Sequence, residues 1–222
     1  MFVSKSMTKK IITINKDADI FEARDKMAEH RIRHLPVVTM DYHLIGIVSD
    51  RDIRSAMPLS DYNSKKMTAK IAKLKIKDIM TIDPVAISPL HTIQDALVLI
   101  QQTRVGAFPV VDEKGKLIGI ISVRDLLRAF INVIGMEDPG ILMCIIVEEK
   151  LGQMKKIVDA ITEEGISFGS IMVARYWDEE KRAVFPYLLT QNITPLKKKF
   201  KNMGYEVLDP MKWYIDQLPK ND

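Results

Sequence analysis

The stretch Gly46-Ile47-Val48-Ser49-Asp50-Arg51-Asp52 returns 73 positions later as Gly119-Ile120-Ile121-Ser122-Val123-Arg124-Asp125, and nothing else in this 222-residue chain constrains its fold as tightly. At that offset residues 7–57 align with 80–130 without a gap. Identical residues fall at Met7, Thr8, Ile14, Ile20, Ala23, Arg31, Pro36, Val37, Val38, Leu44, Ile45, Gly46, Ile47, Ser49, Arg51, Asp52 and Ala56. An ungapped internal repeat of this length is a duplicated structural unit. Each copy opens on a Met-Thr turn and an extended, β-rich segment (residues 11–15 or 85–88). A helix follows, capped by Asp19 with Glu22 or by Thr92 with Asp95 and buried through Ile20, Ala23 and Met27 or Ile93, Ala96, Leu97 and Ile100. A strand ending at Pro36-Val37-Val38 or Pro109-Val110-Val111, a turn, a second strand and a second helix complete a βαββα unit. Neither unit has an apolar face large enough to close alone, so the two are expected to pack as a pair through their sheets.

The chemistry concentrates at the second strand-to-helix turn. An apolar run ends at a serine, and an aspartate follows three positions later. One reading is architectural: Ser49 and Ser122 cap the free N–H groups of a helix start, and Asp52 and Asp125 reach back in a capping box. The other uses the same geometry for a ligand. A helix N-terminus suits a phosphate, Arg51 and Arg124 add charge beside it, and a carboxylate can accept two hydrogen bonds from a ribose diol.

These residues resemble the CBS domain, whose nucleotide-binding members carry glycine, hydrophobic, any, Ser/Thr, any, any, Asp at this turn. Both copies satisfy that pattern in full. The resemblance implies a tandem CBS pair, or Bateman module, with two clefts between the repeats. In them Asp52 and Asp125 would meet ribose, and Ser49, Arg51, Ser122 and Arg124 would lie near phosphate. It further implies that Ile12, Val85, His34 and Ala107 contribute to the clefts. The implied ligands are adenine nucleotides (AMP, ADP or ATP) or S-adenosylmethionine, acting as regulators and not as catalytic cofactors.

Charge agrees with an anionic ligand in the repeated half. Net charge is +4 over the chain, but residues 1–134 carry +6 and residues 135–222 carry −2. No aromatic-basic pattern of a nucleic-acid module accompanies the excess, so nucleic acid is not expected. No apolar run approaches the roughly 18 residues of a membrane helix, and the start of the chain has no signal-peptide pattern. A single cysteine, Cys144, fits a cytoplasmic protein.

The last third changes rhythm. Residues 141–147 read as a strand and 148–152 as a loop. Met154, Ile157, Val158 and Ile161 then mark an amphipathic helix closed by Gly165. Residues 170–176 and 183–189 flank Asp178-Glu179-Glu180-Lys181 as a hairpin. Thr194 as cap and Pro195 at the first helical position start a helix burying Leu196, Phe200 and Met203, which Gly204 ends before a strand at 205–208. The order βαββαβ is the ferredoxin-like plan. Its first loop, ending in Gly152, resembles the ACT domain, a small-molecule sensor, which implies a ligand loop at Glu149, Lys150, Leu151 and Gly152. Glu149 stands where many ligand-binding ACT domains have aspartate, so sensing and a purely dimerising role both stay open.

The fold class expected is therefore α+β: two CBS repeats packed as a pair, then an ACT-like domain. The expected boundaries are 1–60 for the first repeat, 61–75 for a lysine-rich linker, 76–134 for the second repeat, 135–140 for a Gly/Pro linker, 141–210 for the ACT-like domain and 211–222 for a tail. This layout resembles the acetoin-utilisation protein AcuB family, especially at residues 30–38, 46–54 and 205–208. His30, His34, His43 and His91 have no metal-ligand spacing, and neither a phosphate-binding P-loop nor a nucleophile elbow occurs. The expectation is a cytoplasmic, non-enzymatic regulatory sensor. It is expected as a homodimer, because Trp213, Tyr214, Ile215 and Leu218 leave apolar surface in the tail. The alternative is a non-sensing oligomerisation scaffold that holds a partner enzyme.

Overall fold

The computed structural model describes residues 1–57, 73–135, 138–175 and 180–208. The tail residues Trp213, Tyr214, Ile215 and Leu218, most of the 61–75 linker with its lysines at 65, 66 and 70, and Asp178-Glu179 lie outside the described residues. The chain divides into two compact units, Met1–Ala129 and Phe130–Asp222.

The first unit contains both repeats. After a short helix α1 (Val3–Ser6), helix α2 (Ile20–His30) starts at Asp19, whose side chain accepts from Glu22 N, and stops at Arg31, which takes the left-handed conformation at φ 52°. Strands β1 (His34–Val38) and β2 (Leu44–Ser49) pair antiparallel and lead into α3 (Asp50–Ala56). The second repeat supplies β3 (Thr81–Ile82), then α4 (Ile93–Thr103) on a full Thr92–Asp95 capping box, the antiparallel pair β4 (Ala107–Val111) and β5 (Leu117–Ser122), and α5 (Val123–Ile134).

The segment expected as each repeat's first strand is reduced to one parallel bridge, Ile14 to Val37 and Ile87 to Val110. Ile14 N donates to Pro36 O at 3.1 Å, and Val38 N donates to Ile14 O at 3.4 Å. Pro36 and Pro109 offer a carbonyl but no N–H, so the ladder cannot continue back to Ile12 or Val85 beside them.

The two repeats are joined by exchanging their leading segments. Thr8, from the first repeat, bridges Ile120 on β5 of the second, with both backbone bonds made (2.9 and 3.1 Å). Reciprocally, β3 pairs with Gly46 and Ile47 on β2 of the first repeat. The Met-Thr pair that reads as a turn of its own repeat is thus the edge of the other one. Val3 and Met7 pack into the second repeat's core with Phe108, Val110, Ile121 and Leu126, while Met80 packs against the first repeat's core of Ile20, Leu35, Val37 and Val48. The motif glycines permit this approach. A β-carbon on Gly46 would stand 2.6 Å from Met80 Sδ, and one on Gly119 would collide with Met7 Sδ.

Among its described residues the second unit is a single antiparallel sheet with two helices after Ile141. Its strands are β6 (Ile141–Leu142), β7 (Cys144–Glu148), β8 (Phe168–Ala174), β9 (Lys181–Leu188) and β10 (Glu206–Leu208), and its helices α6 (Gln153–Glu163) and α7 (Thr194–Asn202). β7 lies between β10 and β9, and β8 takes the other edge of β9. The strand expected at 141–147 is split in two at Met143, which faces Pro186; Met143 N donates to Pro186 O, but the proline has no N–H to return. Helix α7 begins one residue earlier than its Thr194 cap implied. Thr194 is its first residue, and Asn192 Oδ1 accepts from Thr194 N. Phe200, Ile157, Ile145 and Leu196 are fully buried between helices and sheet.

Candidate functional site

Ser122 ends β5, and three bonds fold the start of α5 around it. Ser122 N and Ser122 Oγ both donate to Asp125 Oδ2, at 2.9 and 2.7 Å, and Asp125 N donates to Ser122 Oγ at 3.3 Å. The capping box therefore exists, and it occupies one carboxylate oxygen. Oδ1 takes part in none of these bonds and stays available as an acceptor. The first repeat repeats the arrangement, with Ser49 N and Oγ donating to Asp52 Oδ2 at 2.8 and 2.7 Å.

In front of the second box lies a cleft of about 460 Å³, within the range of small-molecule sites. Both repeats build it. The first contributes Thr8, Lys10, Ile11, Ile12, Arg31, Ile32, Arg33 and His34; the second contributes Gly106, Ala107, Ile120, Ser122, Val123, Arg124, Asp125 and Arg128. The exchanged leading segment carries Thr8 to Ile12 across to β5, which is why residues more than 100 positions apart share one wall. His34, half-buried at the start of β1, rests on Gly106, where a β-carbon would stand 2.8 Å from its Nε2. Burial pushes the His34 imidazole below its ordinary pKa, with Asp50 and Asp52 pulling it back up and Arg33 adding to the fall. A neutral imidazole offers one donor and one acceptor to a ligand.

Of the residues singled out from sequence, Ile12, His34, Ala107, Ser122, Arg124 and Asp125 converge on this cleft. Ser49, Arg51, Asp52 and Val85 do not line it. Lys10, Arg31, Arg33 and Arg128 do, and sequence reasoning passed over them. Arg31 was visible only as a repeat identity. The other three differ from the residues 73 positions away, and that difference was the available signal.

The second unit has its own cleft, of about 400 Å³, lined by Glu148, Gln153, Lys156, Lys181, Tyr205 and Glu206 among others. Tyr205 Oη donates to Gln153 Oε1 at 2.7 Å. Glu149, Lys150, Leu151 and Gly152 do not line that cleft. Glu149 pairs with Arg182, Lys150 pairs with Glu148 at 2.6 Å, and Leu151 is fully exposed. Gly152 has φ 88°, and a β-carbon there would meet nothing within 4 Å. Its backbone angle, not crowding, accounts for the glycine.

A duplicated α/β unit whose halves trade their leading segments around a shared cleft defines a tandem-repeat module. The chain belongs to the CBS domain family, whose model matches residues 3–59 and 76–132. Solved structures that resemble it include the following three. The CBS pair CBSX2 in complex with AMP is 28% identical, covering 59% of this chain and 96% of that one at a TM-score of 0.51. The CBS domain pair of protein MJ0100, in complex with 5′-methylthioadenosine and S-adenosylmethionine, is 25% identical over 59% of this chain and 95% of that one, also at 0.51. A putative acetoin utilization protein (AcuB) from Vibrio cholerae is 26% identical over 62% and 95% at 0.52. Among the described residues no helix is long and apolar enough to cross a membrane.

Proposed function

We propose that the chain is a non-enzymatic, cytoplasmic regulatory sensor of AcuB-like layout whose CBS pair binds adenosyl ligands. One observation carries the reading. The cleft shared by the repeats gathers a carboxylate with a spare oxygen, a neutral imidazole, apolar walls at Ile12 and Ala107, and several cations. Ribose, base and phosphate each find a chemically suitable partner there. The AMP and S-adenosylmethionine complexes of CBSX2 and MJ0100 support the ligand class. Ser49, Arg51 and Asp52, with Val85, are assigned to a second position of the same kind. The domain boundaries expected from sequence complete the proposal.

The 141–210 region is read as a ferredoxin-like, ACT-type domain. Its support is the strand sequence across the sheet: counting β6 and β7 as one strand, the order is fourth, first, third, second, all antiparallel. A second small molecule would belong at the loop Glu149, Lys150, Leu151 and Gly152. Calorimetric titration of the full chain with adenosine, AMP, ADP, ATP and S-adenosylmethionine, and then with an amino-acid panel, tests both parts. At least one adenosyl ligand is expected to bind; silence across the adenosyl series overturns the sensor and leaves the scaffold for a partner enzyme.

Self-association has its own support. The helices of the second repeat expose Leu97, Val98, Val123 and Leu127, between 41% and 57% accessible. Their counterparts 73 positions earlier are Arg24, Asp25, Asp50 and Arg54, which form the ion pairs Arg24–Asp25 and Arg54–Asp50. One copy of the duplicated face is solvated and the other apolar, which fits an isologous homodimer through α4 and α5. Leu127→Arg, the first-repeat residue at that place, is expected to halve the mass in light scattering without lowering the melting temperature at low concentration. A wild-type mass near 25.4 kDa at all concentrations removes the dimer.

A further inference from the structure

The two repeats surround their motifs with different charge. Lys10, Arg31, Arg33, Arg124 and Arg128 line the Asp125 cleft, and among the described residues none of the five sits in an ion pair. Among the described residues that line it, the one carboxylate is Asp125.

Transposing that lining by 73 positions exchanges the repeats and gives the lining that the duplication would set around Asp52. Lys10 becomes Asp83, Arg128 becomes Ser55 and Val123 becomes Asp50, while Arg31 and Arg124 become Arg104 and Arg51. Arg33 and Gly106 exchange with one another. The five cations and one carboxylate thus become three cations and three carboxylates, of which Asp50 is already paired with Arg54 at 3.0 Å. Each phosphate on a nucleoside adds negative charge, and guanidinium groups bind phosphate in a paired, directional way. The excess in the Asp125 cleft is too large for a neutral adenosyl ligand to use. The near-balance at Asp52 offers a chain of phosphates far less net attraction than the five cations at Asp125.

Resting on the adenosyl reading above, we infer that the pair is divided by ligand charge: the Asp125 cleft takes a nucleoside polyphosphate, and the position at Asp52 takes an adenosyl ligand of little or no net negative charge. The full chain would then report a ratio of two adenosyl species and not the level of one.

The test titrates adenosine, AMP, ATP and inorganic tripolyphosphate into the full chain and into Lys10→Asp/Arg128→Ser, which writes the 73-offset counterparts Asp83 and Ser55 into the Asp125 cleft. Both residues are exposed, so the unliganded melting temperature serves as the check on folding. Asp125→Ala and Asp52→Ala assign each isotherm to its position. At the Asp125 cleft, affinity is expected to rise from adenosine to AMP to ATP and to fall with salt. The double variant should weaken ATP and tripolyphosphate by about tenfold or more, with adenosine changed far less. Adenosine, AMP and ATP binding equally well, or an ATP-to-adenosine ratio unchanged in the variant, overturns the division while leaving the adenosyl reading intact. Tripolyphosphate binding that the variant weakens, with no response to adenosine, keeps the polyanion cleft and removes the nucleoside. No binding of any probe overturns both.

Discussion

Asp125→Ala is expected to lower both nucleotide affinity and stability, and the two losses come from different oxygens of one carboxylate. Oδ2 is held by Ser122 N and Oγ. Losing that reach-back contact costs about 1 kcal/mol by comparison with other helix caps. Oδ1 is the atom proposed for ribose. Hydrogen bonds to a charged group contribute about 1.5–3 kcal/mol, so affinity should fall on the order of 10- to 100-fold. Asp125→Asn keeps an acceptor and loses the charge, and it should lie between the two. Melting temperature and titration on the same variants separate the roles. A lower melting temperature with an unchanged isotherm reduces the motif to helix architecture. The parallel box at Asp52 should show the same stability loss, with its affinity change confined to its own ligand.

Gly119→Ala is expected to destabilise the chain by roughly 1–3 kcal/mol, the usual range for overpacking. The added methyl collides with Met7 Sδ, and Met7 belongs to the same core as Phe108 and Ile121. Crowding there should push the leading segment off β5 and open the cleft wall that Lys10 and Ile12 form. Met7→Ala in the same chain removes the obstacle, so the double variant should recover part of the loss. A thermodynamic cycle over the four proteins measures the coupling. Strict additivity would show that Met7 does not sit over Gly119 in solution. Gly46→Ala meets Met80 Sδ but also Thr81 O, at 3.0 Å, so removing Met80 should rescue it less completely.

Much of this was legible in the sequence because it is local. The Ser-x-x-Asp spacing specified both capping boxes, Asp19 and Thr92 announced α2 and α4, and the 73-residue offset defined the pair. The exchange of leading segments was not legible. Thr8 pairs with Ile120, and nothing near either residue states that the partner lies in the other repeat. The cleft suffered for the same reason. Ile12, His34, Ser122 and Asp125 could be named by pattern, but Lys10 joins them only through the exchange, Arg33 stands one residue before His34, and Arg128 lies one turn beyond the motif. Identities marked the motif, whereas the charge around it was written in positions where the copies differ. The break at Met143 needed knowledge of which residue faces it, and only the pairing with β9 reveals Pro186 there.

The exchange also bears on how the chain is made. Met7 and Thr8 are synthesised more than 100 residues ahead of their partners on β5. At about 5–20 residues per second, the N-terminal segment waits roughly 5–20 s with its apolar side chains uncovered. During that interval the first repeat also lacks β3 on its own sheet edge. A nascent chain stalled after the first repeat is therefore a half-closed sheet with a spare strand, the form that a chaperone, or a neighbouring nascent copy, would find first.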